Sequence, residues 1–394
     1  MQPSATTLRS AAEAVTVFVA TSVAVLAIML PISFAALAEA RHVDLLVFNI
    51  PRAMTGGAFA AVITAAVTVA VGSRRTARWT ALLALAGIVL SHLLLVPQSD
   101  NADFTGLSLA TLNFIDALLA GVALGAMAVV VWPEPLLRTA YLFAVPAAAV
   151  LGDLTETDEG SADFDGVLAG SLPLWFIAAT VLALAYFAIT TATPPRNGAD
   201  TAIPLAPVFA GVVAFSTILM TSLAVASRET SIPSVLVGSI VVVAAATVAA
   251  LILPDRDGVL VLLMTGFAVA GSLVITLPRS GLVNVGTVIA LGAGLLTGLR
   301  RPHPMAAAVS VAGLAVFVLA TDVLDPPATL NAAVGCLALG TISGYCVGSA
   351  VPLSPTSATV GLSILCVPSI GVAFCDTEFG HQANTSSGFR HPDL

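Results

Sequence analysis

VGSRRTARWT, Val71–Thr80, is the most basic short segment of a chain that otherwise avoids charge. It parts two apolar runs, roughly Met54–Val71 and Trp79–Val96, and sets Arg74, Arg75 and Arg78 between them. An arginine in mid-hydrocarbon costs at least ~2.5 kcal/mol, so the segment reads as a tight hairpin outside the apolar slab, on the cytoplasmic side. A second charged hairpin, Leu253–Val259 (LPDRDGV), parts two apolar runs in the same way. Arg74 and Arg256 stand 182 residues apart, about half the chain.

Composition fixes the class. The chain has 394 residues, of which 58% are hydrophobic and 9% charged, with a mean hydropathy of +1.03. A soluble protein carries about a quarter charged residues to cover its surface. This surface therefore faces lipid. All 14 basic residues are arginine. The absence of lysine excludes the P-loop G-x-x-x-x-G-K-[ST] and ATP hydrolysis by that route. The four cysteines, Cys336, Cys346, Cys366 and Cys375, form no C-x-x-C pair and mostly lie in apolar runs, as buried inert thiols do.

Apolar runs of about 17–25 residues span ~30 Å of hydrocarbon as helix. Six occur first: Ala14–Leu37, Met54–Val71, Trp79–Val96, Leu107–Trp132, Pro135–Gly152 and Val167–Thr190. A polar break follows over Thr191–Ile203, with paired prolines and both charge signs. Six more are Pro204–Ala226, Pro233–Leu253, Gly258–Pro278, Val283–Leu299, Met305–Thr321 and Thr329–Val351. The first run lacks an A-x-A-type cleavage site and reads as a retained span. The expected layout is an all-α integral membrane protein: a six-helix half over 1–190, a cytoplasmic linker over 191–203, and a six-helix half over 204–351. Residues 352–394 hold a further apolar run, Ser357–Cys375, and a polar tail. Pro352, Pro355 and Pro368 interrupt that region, and the run either makes a thirteenth span or lies at the interface or re-enters.

Charge sets the orientation. With the amino terminus inside, the inner loops hold nine arginines and the outer loops four, Arg41, Arg52, Arg228 and Arg279. The positive-inside rule then places the amino terminus in the cytoplasm. One outer loop, Asp153–Asp165, is rich in acids, but its spacing is not that of a calcium loop, and it reads as solvated. Arg52, beside Pro51, reads as a headgroup anchor.

Asp255-Arg256-Asp257-Gly258 resembles the D-R-x-G core of the loop between the second and third helices of each half in major facilitator superfamily transporters. Arg74 and Arg78 fall on the basic positions of the same template in the first half, where Ser73 and Thr76 replace its acid and glycine. With the 6 + 6 layout and the central linker, the chain looks like a divergent member of that superfamily. The fourth span lacks the family's arginine, and the fifth keeps Pro146 without the drug-antiporter glycine pattern. The resemblance implies two six-helix halves related by pseudo-symmetry, and a conformational latch at Arg74, Arg78, Asp255, Arg256 and Gly258.

Leu107–Trp132 carries the most functional information. Asp116 lies about three or four residues from its middle, hence only ~5 Å from the bilayer centre. A carboxylate at that depth faces a protein or water interior, or is protonated. Asn113 stands one turn before it on the same face. His92 lies at a similar height in the preceding span, as an antiparallel neighbour would. The functional reading makes Asp116, Asn113 and His92 a proton-titrating or substrate-binding group in a central cavity. The bland reading gives Asp116 a hydrogen bond to a neighbouring helix and lets His92 snorkel outward with Ser91. Gly121 and Gly125, Gly294 and Gly298, and Gly340, Gly344 and Gly348 give small-residue faces for close helix contact. His303, His381 and His391 lack helical ligand spacing, so no metal is expected.

The expected function is secondary active transport, not enzymatic catalysis. A monomer would move a small amphipathic or hydrophobic solute across the cytoplasmic membrane by alternating access, coupled to protons. Lipid is its surroundings, and neither nucleic acid nor a cofactor is implied. The alternative is a membrane-embedded cell-envelope enzyme, or an assembly or partner subunit without transport activity.

Overall fold

The computed structural model describes residues 5–30, 49–95, 109–154, 172–190, 202–226, 232–254, 256–275, 281–324 and 328–368. Among them every regular element is helical. The first six helices are α1 (Ala5–Met29), α2 (Ile50–Val71), α3 (Arg74–Leu95), α4 (Leu109–Val131), α5 (Pro135–Leu154) and α6 (Leu174–Thr190). Six more follow: α7 (Leu205–Ala226), α8 (Ile232–Ile252), α9 (Asp257–Ile275), α10 (Gly281–Arg300), α11 (Pro304–Leu324) and α12 (Ala328–Ser349). A short α13 (Pro355–Ser363) runs into a 3-10 turn, Ile364–Cys366. Eight helices, α1 to α5, α7, α10 and α12, are long and apolar enough to cross a membrane. The chain is a multi-pass membrane protein.

Helix ends follow local chemistry. The hairpin between α2 and α3 is two residues long. Gly72 ends α2 in the left-handed region at φ 70°, which only glycine adopts freely, and its N–H reaches the Thr68 and Val69 carbonyls. Ser73 then caps α3, its hydroxyl oxygen accepting the Thr76 N–H at 3.2 Å. The first helix begins at Ala5, nine residues before the expected Ala14. Hydropathy registers only the part of a helix that suits lipid, and α1 extends beyond it through Arg9 and Glu13.

Glycine brings two helix pairs into backbone contact. In the first, α2 and α4 run parallel, and a Cβ at Gly121 or Gly125 would collide with the carbonyl of Gly57 or Ala61. In the second, α10 and α12 run parallel. Gly340, Gly344 and Gly348 approach the carbonyls of Thr287, Leu291 and Leu295, and Gly294 approaches that of Thr341. Lipid supplies no hydrophobic drive between helices, so close van der Waals contact of this kind holds them together.

The helix pairing recurs with an offset of eight. In the amino-terminal part α2 packs on α4, α1 on α5 and α4, and α3 on α4. In the carboxy-terminal part α10 packs on α12, α9 on α13 and α12, and α11 on α12. Contacts between the parts exchange under the same offset: α2 with α13 mirrors α10 with α5, and α4 with α13 mirrors α12 with α5. Between the two sets α7 and α8 pack on each other, α7 also reaching α2 and α8 reaching α9. In this pattern the counterpart of the Arg74-Arg75 hairpin is the link carrying Arg300 and Arg301, between α10 and α11, rather than Asp255–Gly258.

The segment after α12 is central. Every residue of α13 from Thr356 to Ser363 is buried. The helix sits among α2, α4, α7 and α9. Ser354 caps it and Pro355 occupies its first turn. The prolines that make the segment a poor regular span start and shorten this helix. Of the expected Ser357–Cys375 run, the part beyond Pro368 lies outside the described residues.

Candidate functional site

Asp116 is two turns into α4 and only 2% exposed. The neighbouring α3 supplies its partners. The Ser91 hydroxyl donates to Asp116 Oδ1 at 2.6 Å. His92 Nε2 stands 3.6 Å from Asp116 Oδ2, an ion-pairing distance when the imidazole is protonated and longer than a hydrogen bond. Helical geometry explains why one helix presents both donors: Ser91 points into the bundle at 4% exposure, while the next residue turns by about 100° and remains part-buried. Asn113, one turn before Asp116, is buried and its amide reaches Asn49 Oδ1, at the start of α2, at 3.4 Å. The packing thus brings Asp116, His92 and Asn113 to one end of α2, α3 and α4, opposite the arginine hairpin.

Ser91 is the partner that sequence reading set aside. It enters only the reading in which His92 snorkels outward with it; in the structure Ser91 points inward and makes the shorter contact to Asp116. A small hydroxyl inside an apolar run, one helix height from an acid, was the available signal.

The second polar cluster is at the arginine end. Arg78 is buried and pairs with Glu13 of α1 at 3.4 Å. Arg74 approaches Glu134, in the α4–α5 link, at 4.0 Å. Both pairs stay within α1 to α5. Asp255 lies outside the described residues. Arg256 is exposed, and Gly258 lets α9 approach the Ala250 carbonyl of α8. The engaged acid of that hairpin is Asp257, at 1% exposure. Its carboxylate accepts the Leu353 N–H at 2.6 Å and the Ser354 hydroxyl at 3.2 Å. The Leu353 carbonyl in turn accepts the Trp132 indole N–H at 2.9 Å. One connected path thus runs from α9, through the α12–α13 link, to the end of α4. An acid at the first position of a helix, followed by glycine, was its sequence signal.

Other expectations divide. Arg52 is exposed at the start of α2, and the acidic stretch 155–165 lies outside the described residues. His303 is exposed in the α10–α11 link. Cys336, Cys346 and Cys366 are buried and form no disulfide among the described residues, and Cys375 lies outside the described residues. A cavity bounded by Ile218, Val242, Thr265 and Ile364 holds about 10 Å³, the room of one water. No protein-family model, curated protein or solved structure matches the chain.

Proposed function

We propose that the chain is a proton-coupled secondary transporter, with Asp116 as the group that binds the proton. The observation that carries this reading is a carboxyl 2% exposed, within an apolar bundle, held by Ser91 and flanked by His92. An ionisable residue at membrane depth is expensive, and its usual use is in a solute or proton path. Alternating exposure of Asp116 to the two sides of the membrane couples its proton to conformation, and His92 passes the proton toward the nearer face. The recurring helix pairing supports two repeated units that rock against each other; its offset of eight helices is not the six of the major facilitator kind, and that kinship rests on the Asp255-Arg256-Asp257-Gly258 loop. The apolar interior suits a small amphipathic or hydrophobic solute, carried across the cytoplasmic membrane by a monomer with its amino terminus inside.

The test is solute flux into proteoliposomes under an imposed pH gradient. Asp116→Asn keeps shape and hydrogen bonding but removes titration, so it retains the fold and loses gradient-driven flux. His92→Ala slows flux without ending it. Undiminished gradient-driven flux in Asp116→Asn refutes the proton role.

A further inference from the structure

We propose that Ser91 is a positioning residue that serves Asp116 in both of its protonation states by reversing the direction of one hydrogen bond. The inference rests on the proton role assigned to Asp116 above. The Ser91 Oγ lies 2.6 Å from Asp116 Oδ1 and 2.8 Å from the Ile88 carbonyl oxygen. A hydroxyl has one proton and two lone pairs, so it donates to only one of these oxygens at a time. When Asp116 is ionised it accepts only, and Ser91 donates to Oδ1. When Asp116 is protonated, its O–H donates to Ser91 Oγ, and the Ser91 proton rotates to the Ile88 carbonyl. Both arrangements satisfy the Ser91 hydroxyl and Asp116 Oδ1.

The rotation costs little. The Ile88 carbonyl already accepts the α3 backbone N–H four residues on, so it keeps a partner when Ser91 turns away. Ser91 neither gains nor loses a proton; the titrating proton resides on Asp116. Without the hydroxyl, a carboxyl this buried would lack a donor when charged and an acceptor when neutral, and each orphaned state is costly. The charged and titratable residues at this height, among those described, are His92 on α3 and Arg52 on α2. Arg52 is level with Asp116 because Gly57 lies opposite Gly121, and it is exposed. Where α1 packs beside Gly57 it presents Ile28, an apolar side chain.

Infrared difference spectroscopy between high and low pH tests this on the full chain in lipid, labelled with carbonyl-13C isoleucine. Wild type is expected to show a carboxyl C=O band that Asp116→Asn lacks. It is also expected to show a shift of one isotope-marked amide band, as the Ile88 carbonyl gains a donor at low pH. Ser91→Ala loses the amide shift and moves the carboxyl band to higher wavenumber. Ser91→Thr, which keeps the hydroxyl and controls for altered packing, retains both signals. Gradient-driven flux falls about tenfold or more in Ser91→Ala and far less in Ser91→Thr. A titrating Asp116 band without the isoleucine shift, or with the shift intact in Ser91→Ala, overturns the role of Ser91 while leaving that of Asp116 standing. Absence of any Asp116 carboxyl band in wild type overturns both.

Discussion

The pairs α2/α4 and α10/α12 are built alike and carry different polar residues. Each is a parallel pair seamed by glycine, with backbone carbonyls where side chains would otherwise separate the helices. Five residues before the first α4 seam glycine, Gly121, stands Asp116; five before Gly340, in α12, stands Gly335. Only the first pair therefore carries an acid, and α3 beside it offers a hydroxyl and an imidazole. The arginine-end anchors differ too. Glu13 on α1 meets a guanidinium, whereas Asp257 on α9 meets a backbone N–H and a serine. The seam is common to both pairs, and the buried acid stands in one of them.

The largest effect should come from breaking the seams. Gly344→Val drives a side chain into the Leu291 carbonyl, and Gly125→Val into that of Ala61. Backbone cannot give way as a flexible side chain does, so each should cost at least roughly 1–3 kcal/mol. Thermal unfolding in detergent should show both losses. A stable Gly125→Val beside an unfolded Gly344→Val would mean that the two seams are not equivalent.

Asp257→Ala comes next, because it orphans the Leu353 N–H at a cost of roughly 1–3 kcal/mol, while the Ser354 hydroxyl keeps Ser357 Oγ at 2.8 Å. Asp257→Asn, which keeps one acceptor oxygen, should lose less. Trp132→Phe removes only the indole donor to Leu353, worth about 0.5–1.5 kcal/mol. Cysteines placed near the α4 end should become more reactive from the arginine side, because that bond joins the two sets of helices. Unchanged reactivity would reduce the Trp132 contact to packing. Gly313→Ala is the smallest, since nothing lies within 4 Å of a Cβ there. It should be neutral or stabilise by up to about 1 kcal/mol through helix propensity. A large loss at Gly313 would place a partner against α11.

Sequence alone determined the helical class, the position of most apolar helices and that Asp116 and His92 stand level. Leu107–Trp132 was expected to span, and α4 covers Leu109–Val131. Hydropathy is a property of a segment by itself, and at 1.5 Å per residue it converts directly into depth. Asp116 and His92 were legible as level with each other for that reason. Tertiary structure alone decided which neighbour faces which. It made Ser91 the close partner of Asp116, chose Asp257 for the second hairpin, buried α13 at the centre, and set the pairing offset at eight helices. Those outcomes depend on the rotation of each helix about its axis and on contacts between residues far apart in the chain. In lipid, where all apolar faces are nearly equivalent, only close packing at small residues and a few buried hydrogen bonds select among them.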